Sequence, residues 1–357
     1  MKSFTFLKYI SSILPRDQRP DFLKLKHIEF SRWTKISRGL TAAYELTSGK
    51  FCRYLLYATI HRTLRDHREY FSDVAPITLQ WAEKKKSNQQ KHMLFAEHGW
   101  LPRSSYQLSS KGCNSRSHVK FKPTQDYIGI LGGKAILRKL KQNLRKCMGD
   151  EREVPHALTD APFFVVALQT GTDLNLLNSG TRFANYYRQK RATEKFGQAL
   201  IDHVESMERK HRVIFTQHPA DKSNSRYMVH HHNRIVYAHQ GVRTLDLLRH
   251  EQCQGVIAVN SNILHEAMLW QRPTCALGYL LASQKEASPF CSELEPFLIE
   301  NTQTLRFNEL VDQYLAMLIA YQWTLSDFQN PLILRRILVD SDSIIPWNIR
   351  KKYGYAG

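Results

Sequence analysis

CQGVIAVNSNILHEAMLWQRPTCALGYL, residues 253–280, decides the fold. Val256, Ile257, Ala258 and Val259 make the short unbroken apolar run of a strand buried on both faces, and the run stops at the polar triplet Asn260, Ser261 and Asn262. Ile263, Leu264, Ala267, Met268 and Trp270 then recur at helical spacing, with Asn262 or Ser261 placed to cap the first turn and Glu266 near its beginning. The pair Arg272-Pro273 ends that helix, because the residue before a proline is pushed out of the helical region, and residues 274–277 read as the next strand. A strand, a polar loop, a helix and a strand in succession turn the loop amides and the helix N-terminus toward one spot beyond the first strand's carboxyl end. That spot suits a phosphate of a nucleotide ligand.

Upstream the same alternation repeats. Residues 163–168 (FFVVAL) read as a strand ending in Gln169, Thr170, Gly171, Thr172 and Asp173. Residues 196–210 follow as a helix, on the spacing of Phe196, Leu200, Ile201 and Val204. Residues 213–216 are the next strand, ending in Gln217, His218 and Pro219, and residues 235–237 a further one, with a helix over 245–250 before the quoted stretch. Strands alternating with helices predict an α/β fold with a parallel sheet covered on both faces. The polar sets at 169–173, 217–219 and 260–262 all follow strands, so such a sheet brings them to one edge. Gln169 and Thr170 then sit at the mouth of an interdomain cleft.

The first half is basic and mostly helical, with Pro15 and Pro20 interrupting its amino-terminal arm. Residues 36–70 carry helical apolar faces with a break at Gly49, residues 79–91 read as a charged helix ending in a loop, and residues 135–148 as a strongly basic helix. Residues 127–131 read as a short strand. Met93, Leu94, Phe95 and Ala96 form a buried strand that ends in Glu97-His98-Gly99. A carboxylate and an imidazole at a strand end equip a loop for acid-base or nucleophilic chemistry, and glycine lets a substrate approach the backbone. The alternative is a turn in which Glu97 pairs with an arginine and His98 caps a helix. The loop over residues 103–118, rich in Ser, Asn and Gly, is a candidate lid. Charge and prolines around Pro155 and Pro162 divide the chain into an acceptor-side domain (1–155), a nucleotide-binding domain (156–325) and a terminal helix or arm (326–357).

The chain has 357 residues, of which 42% are apolar, enough for real cores. Its formal net charge of +19 calls for an anionic partner: nucleic acid, an anionic membrane surface or an anionic substrate. Zinc fingers and RNP-type aromatic strands are missing, so nucleic acid is not expected. The six cysteines fall in no metal-ligand spacing, and neither zinc nor a disulfide is expected. His230-His231-His232 has no acidic or cysteine residue spaced to complete a site, so no metal is expected there. Gly132-Gly133-Lys134 lacks the spacing of a phosphate-binding loop. With no secretory leader and no long apolar run, the expected location is the cytoplasm, peripheral at the inner face of the membrane.

Glu97-His98-Gly99, the His218-Pro219 pair and the Asn260-Ser261-Asn262 strand end leading to Glu266 together resemble the capsule polysaccharide biosynthesis proteins. Within them the set is most similar to CMP-Kdo-dependent Kdo transferases, and it also resembles bacterial sialyltransferases. The resemblance spans about residues 90–280 and rests on the order and strand-end placement of short motifs. It implies a GT-B-like α/β fold, with two Rossmann-like domains facing across a cleft. It implies that an acidic ulosonic sugar, Kdo or a sialic-acid-like one, passes from a CMP donor to a surface-polysaccharide or lipid-linked acceptor, with no metal or other cofactor. By position it gives His218 and Pro219 to the CMP moiety, Ser261 with Asn260 and Asn262 to the phosphate, and Glu266 to the ribose or the loop. Gln169 joins this donor-side set from its strand end.

Glu97 carries the chemistry in this resemblance, but the family's second carboxylate is His98 here. Glu97 as nucleophile or base, and His98 as base oriented by Glu97, therefore both stand. Gly99 lies on the substrate side, and Arg103, Arg182 and Arg188 are candidates for the sugar carboxylate, which a guanidinium grips as a fork. Two rivals remain: a CDP-alditol phosphotransferase of teichoic-acid-like polymers, and a noncatalytic polysaccharide-assembly or polyanion-binding protein.

Overall fold

Phe163, Phe164, Val165 and Val166 are wholly buried, as a strand covered on both faces must be, and they stand at the centre of the larger of two sheets. The structure, a computed structural model, describes residues 50–75, 77–81, 93–102, 105–148, 151–179, 181–207, 212–219, 221, 234–238, 242–281, 289–299 and 309–339. Its first described elements are helix α1 (Lys50–Asp66), strands β1 (Thr78–Trp81), β2 (Met93–His98) and β3 (Tyr106–Ser109), and helices α2 (Tyr127–Leu131), α3 (Lys134–Cys147) and α4 (His156–Thr159). Strand β4 (Phe163–Ala167), helices α5 (Leu174–Ser179) and α6 (Ala192–Glu205), strands β5 (Arg212–Thr216) and β6 (Ile235–Tyr237) and helix α7 (Thr244–Arg249) follow. The chain continues with β7 (Cys253–Ala258), α8 (Ile263–Leu269), β8 (Thr274–Ala276), α9 (Leu294–Ile299), α10 (Glu309–Tyr321), α11 (Leu325–Gln329) and α12 (Pro331–Val339).

The chain divides into two compact units. In one, α1 and the segment up to Val74 join Leu325–Val339. There Arg335 grips Asp73 with both guanidinium nitrogens, at 2.5 and 2.8 Å, and this hydrogen-bonded pairing lowers the Asp73 pKa. The other unit, Ala75–Thr324, holds both sheets. The larger runs β6-β5-β4-β7-β8 with every pair parallel, the doubly wound order of a Rossmann-like half. Period-two alternation along its strands supplies two cores. Phe164, Val166 and Phe215 pack with Phe196, Leu200 and Ile201 of α6. Phe163, Val165 and Ile214 pack with α8 residues Leu264, Ala267 and Met268 and with α10. The α/β class and the strands read at 93–96, 163–168, 213–216, 235–237, 256–259 and 274–277 are present, give or take a few residues at their ends.

Two expectations fail. Residues 79–81 belong to strand β1, paired in parallel with β2 through Leu79 and Leu94, and not to a helix. Residues 77–81 include the β-branched Ile77 and Thr78 and the aromatic Trp81 and carry no charge, and the charged residues that suggest a helix begin beyond them, outside the described residues. Residues 127–131 form helix α2, not a strand. Five residues with four apolar side chains cannot distinguish the two, and the flanks decide: the Asp126 carboxylate accepts from the Gly129 amide at 2.8 Å, and Gly132 closes the turn at φ 100°.

Candidate functional site

In the larger sheet the chain runs from β4 outward through β5 to β6, then returns to β4's other side for β7 and β8, so the carboxyl ends of β4 and β7 flank a switch point. Open α/β sheets bind ligands there, because the loops diverge and leave a crevice. At this place Gln169, 1% exposed, accepts from the Asn260 amide at 3.1 Å and donates to the Asn260 side-chain oxygen at 3.0 Å. Two polar sets 91 residues apart are thus locked together. Asn260 also donates to the Asn175 carbonyl at 2.8 Å, and Asn114 donates to the Asn175 side chain at 2.7 Å. Gln107 on β3 donates to Asn114 at 2.8 Å and to the His98 carbonyl at 2.7 Å. A continuous hydrogen-bonded girdle therefore runs from the switch point to the end of β2. Buried amides satisfied in this way hold one geometry.

The girdle encloses a cavity of about 140 Å³. Its wall takes Glu97, His98, Gly99 and Trp100 from the end of β2, Asn114 and Ser115 from the loop after β3, and Asp173 and Asn175 beyond β4. His218 comes from the end of β5, Asn260, Ser261, Asn262 and His265 from β7 and α8, and Tyr279, Leu280 and Leu281 from beyond β8. The sequence motifs that lie far apart in the chain meet here. The half-buried Glu97 accepts from the His98 amide at 3.0 Å, and the His98 ring stands edge-on to Trp81 at 5.1 Å. Gly99 has a packing reason to be glycine, since a Cβ there would collide with Ser105, whose carbonyl accepts from the Gly99 amide at 2.7 Å. The loop between them is pinned by buried Gln322, which accepts from the Leu101 amide at 2.8 Å and from the Ser105 hydroxyl at 3.0 Å.

Other predicted residues stand outside the wall. Gln169 acts behind it, through Asn260; Pro219 is exposed and Glu266 lies on α8, neither of them among the lining residues. Arg182 and Arg188 are exposed, their guanidinium groups over the rings of Phe183 and Tyr187 at 5.0 and 5.1 Å. Arg103 and the run His230–His232 lie outside the described residues. Among the described residues no lysine or arginine lines the cavity, although Lys120 donates to the carbonyl of Ser115 in its wall. Burial lowers the Lys120 pKa. No group of three His, Cys, Asp or Glu side chains gathers among the described residues, and none of their helices is long and apolar enough to cross a membrane.

The first turn of α8 spends its backbone donors on itself. The Leu264 amide bonds the Ser261 carbonyl at 3.1 Å, and the His265 and Glu266 amides bond the Asn262 carbonyl at 3.0 and 3.3 Å. What this end offers a ligand is the Ser261 hydroxyl and the positive end of the turn. Asn262 reaches across the cavity to donate to the Trp100 carbonyl at 2.7 Å. Behind it lies His265, a residue no sequence motif marks, 2.9 Å from Asn262 and 3.1 Å from the Tyr314 hydroxyl. Burial pushes the His265 pKa down to about 3, so the ring is neutral.

Residues 78–283 match the family model described as capsule polysaccharide biosynthesis protein. Among solved structures the chain is similar to the KpsC β-Kdo 2,7 transferase of Thermosulfurimonas dismutans, at 12% identity over 74% of this chain and 85% of that one, with a TM-score of 0.42. It is also similar to the KpsC β-Kdo 2,4 transferase of that organism, at 13% identity over 67% and 78%, TM-score 0.43. S. aureus MnaA, in a co-structure with UDP, shares 9% identity over 82% of this chain and 80% of its own, TM-score 0.30. No curated protein matches the chain.

Proposed function

This chain belongs to the capsule polysaccharide biosynthesis protein family, and we propose that it is a glycosyltransferase moving an acidic ulosonic sugar, Kdo first, from a CMP donor to a surface-polysaccharide or lipid-linked acceptor. The observation that carries the reading is one cavity whose wall joins the Glu97-His98 strand end to His218 and to the Asn260-Ser261-Asn262 strand end at a sheet's switch point. In this reading the cytidine monophosphate lies on the His218 and Ser261 side. As the glycosidic phosphate departs it gains negative charge, and the Ser261 hydroxyl, the His218 ring and the positive end of α8 stabilise it where it forms. The sugar carbon becomes oxocarbenium-like, and the Glu97 carboxylate on the facing wall stabilises that charge or adds to it. His98 beside it takes the proton of the attacking hydroxyl. The excess of basic side chains favours an anionic acceptor and a working place at the inner face of an anionic membrane.

The test is a thermal-shift titration with CMP, CDP and UDP in parallel, followed by a transfer assay with CMP-Kdo. A ligand that binds only the native state raises its stability with the logarithm of concentration above Kd. Stabilisation by CMP alone, lost in Ser261→Ala or His218→Ala, supports the reading. Selectivity for UDP, or no response to any nucleotide, overturns it.

A further inference from the structure

Along the cavity wall a row of hydrogen bonds runs in one direction, and its proton order can be read atom by atom. The Trp100 carbonyl can only accept, and it lies 2.7 Å from the Asn262 amide, so the nitrogen of that amide faces Trp100 and its oxygen faces His265. That oxygen is 2.9 Å from His265 Nδ1, which must then carry the ring proton. Nε2 is left bare and accepts from the Tyr314 hydroxyl at 3.1 Å. The Tyr314 oxygen in turn hydrogen-bonds the backbone of Leu281, a contact that favours its ionised form against a larger opposing effect of burial. Leu281, Tyr314, His265, Asn262 and Trp100 thus form one row with a donor and an acceptor at each joint. The other neutral tautomer would set two lone pairs against each other at 2.9 Å.

We infer that His265 is a positioning residue for the transfer reaction: as its Nδ1–H tautomer it holds the Asn262 amide against Trp100, and so fixes the donor-side loop relative to the Glu97 loop. The inference rests on the glycosyltransferase reading of the cavity. Both ends of the row, Trp100 and Leu281, belong to the cavity wall, while Tyr314 stands on α10, wholly buried. Tyr314, within α10, bonds His265, and Gln322, the residue that follows the helix, holds the loop after β2. A leucine would fill the space of His265 but would take one hydrogen-bond partner from the buried Tyr314 hydroxyl and one from the Asn262 side-chain oxygen, so the imidazole both satisfies these groups and fixes where they stand. Position matters to the reaction, because a displacement of about 1 Å between reacting groups costs about 100-fold in rate.

Two measurements on the full chain test it. In a long-range proton–nitrogen spectrum of histidine-labelled protein, with His265 assigned by its absence in His265→Asn, the ring should show the neutral Nδ1–H pattern from pH 7 down to pH 5.5. An Nε2–H pattern, or titration near the ordinary histidine pKa of about 6.5, overturns the proton order without reference to any substrate. In the transfer assay His265→Leu should lower kcat by about 30- to 100-fold while the Kd for CMP stays within about threefold. His265→Asn, which keeps a donor where Nδ1 stood, should recover to within about fivefold of the parent. Equal losses in the two variants, or a Kd that worsens as much as kcat falls, overturn the positioning role. A parent protein that neither binds CMP nor transfers sugar overturns the site reading itself, and the positioning role with it, whatever tautomer the spectrum shows.

Discussion

Glu97 and His265 mark the two extremes of what a single residue discloses. A carboxylate at the end of an apolar run announces itself, and Glu97 does line the cavity. Glu97→Gln keeps the shape and the acceptor for the His98 amide but removes the charge. It is expected to lower turnover at least 100-fold while leaving the Kd for CMP within about threefold, as measured by single-turnover kinetics and calorimetry. His265 was illegible because it sits mid-pattern in a helix, and its partner Tyr314 comes 49 residues later. Its titration gives a separate prediction. The unfolded chain protonates this ring near the ordinary 6.5 and the folded chain only at about 3, through burial. Between those values the unfolded state binds the extra proton, so this contribution to stability is complete above pH 6.5 and erodes as pH falls toward 3. Among its described neighbours Tyr314 stays neutral, its pKa raised by burial, and Asn262 carries no charge. Thermal melts from pH 7 to pH 4.5 should therefore fall more steeply for the parent than for His265→Leu.

At the scale of elements, legibility followed length and surroundings. Strand β4 has apolar residues on both faces, and α6 repeats Phe196, Leu200, Ile201 and Val204, all of them fully buried. Burial of that kind makes Phe196→Ala cost about 3–5 kcal/mol, which chemical denaturation can read, provided the unfolding stays cooperative. Helix α2 misled because its five residues carry no period; its identity lives in the caps. Asp126 accepts from the Gly129 amide and, at 3.2 Å, from the Gln313 side chain, while the Gln313 oxygen accepts from the Ile128 amide at 3.0 Å. Asp126→Ala should cost about 1 kcal/mol, with the change in amide exchange concentrated in α2. The girdle around the cavity was half legible. Gln169 and Asn260 follow strands that a parallel sheet brings to one edge, whereas Asn114 lies in a short turn after β3 and Asn175 in the first turn of the six-residue α5, pieces too short for periodicity to fix. Similarly, nothing in the sequence near Gly99 points to Gln322, which pins the loop after it.

For the whole molecule the excess of cations is the largest property still without a measured consequence. The charge of +19 is not gathered at the cavity, whose described wall carries no lysine or arginine. Helix α3 displays Lys134, Arg138, Lys139 and Lys146 exposed, while Lys141 pairs with Asp312 at 2.7 Å and Arg145 spends its guanidinium on the Leu269 carbonyl at 2.6 and 2.9 Å. A field from such a surface raises the encounter rate of an anionic acceptor without changing the chemistry inside the cavity. It is also screened: the Debye length shrinks from about 30 Å at 0.01 M salt to about 8 Å at 0.15 M. The expected outcome is that kcat/KM for an anionic glycan acceptor falls about tenfold between those salt concentrations, while kcat at saturating acceptor holds constant. Replacing Arg138 and Lys139 with glutamate should flatten that salt dependence and raise KM for the acceptor, leaving the Kd for CMP unchanged. A salt slope identical in the parent and the charge-reversed protein would place the steering field elsewhere than on α3. A slope that appears in kcat rather than in kcat/KM would mean that salt acts on the closed site and not on the approach to it.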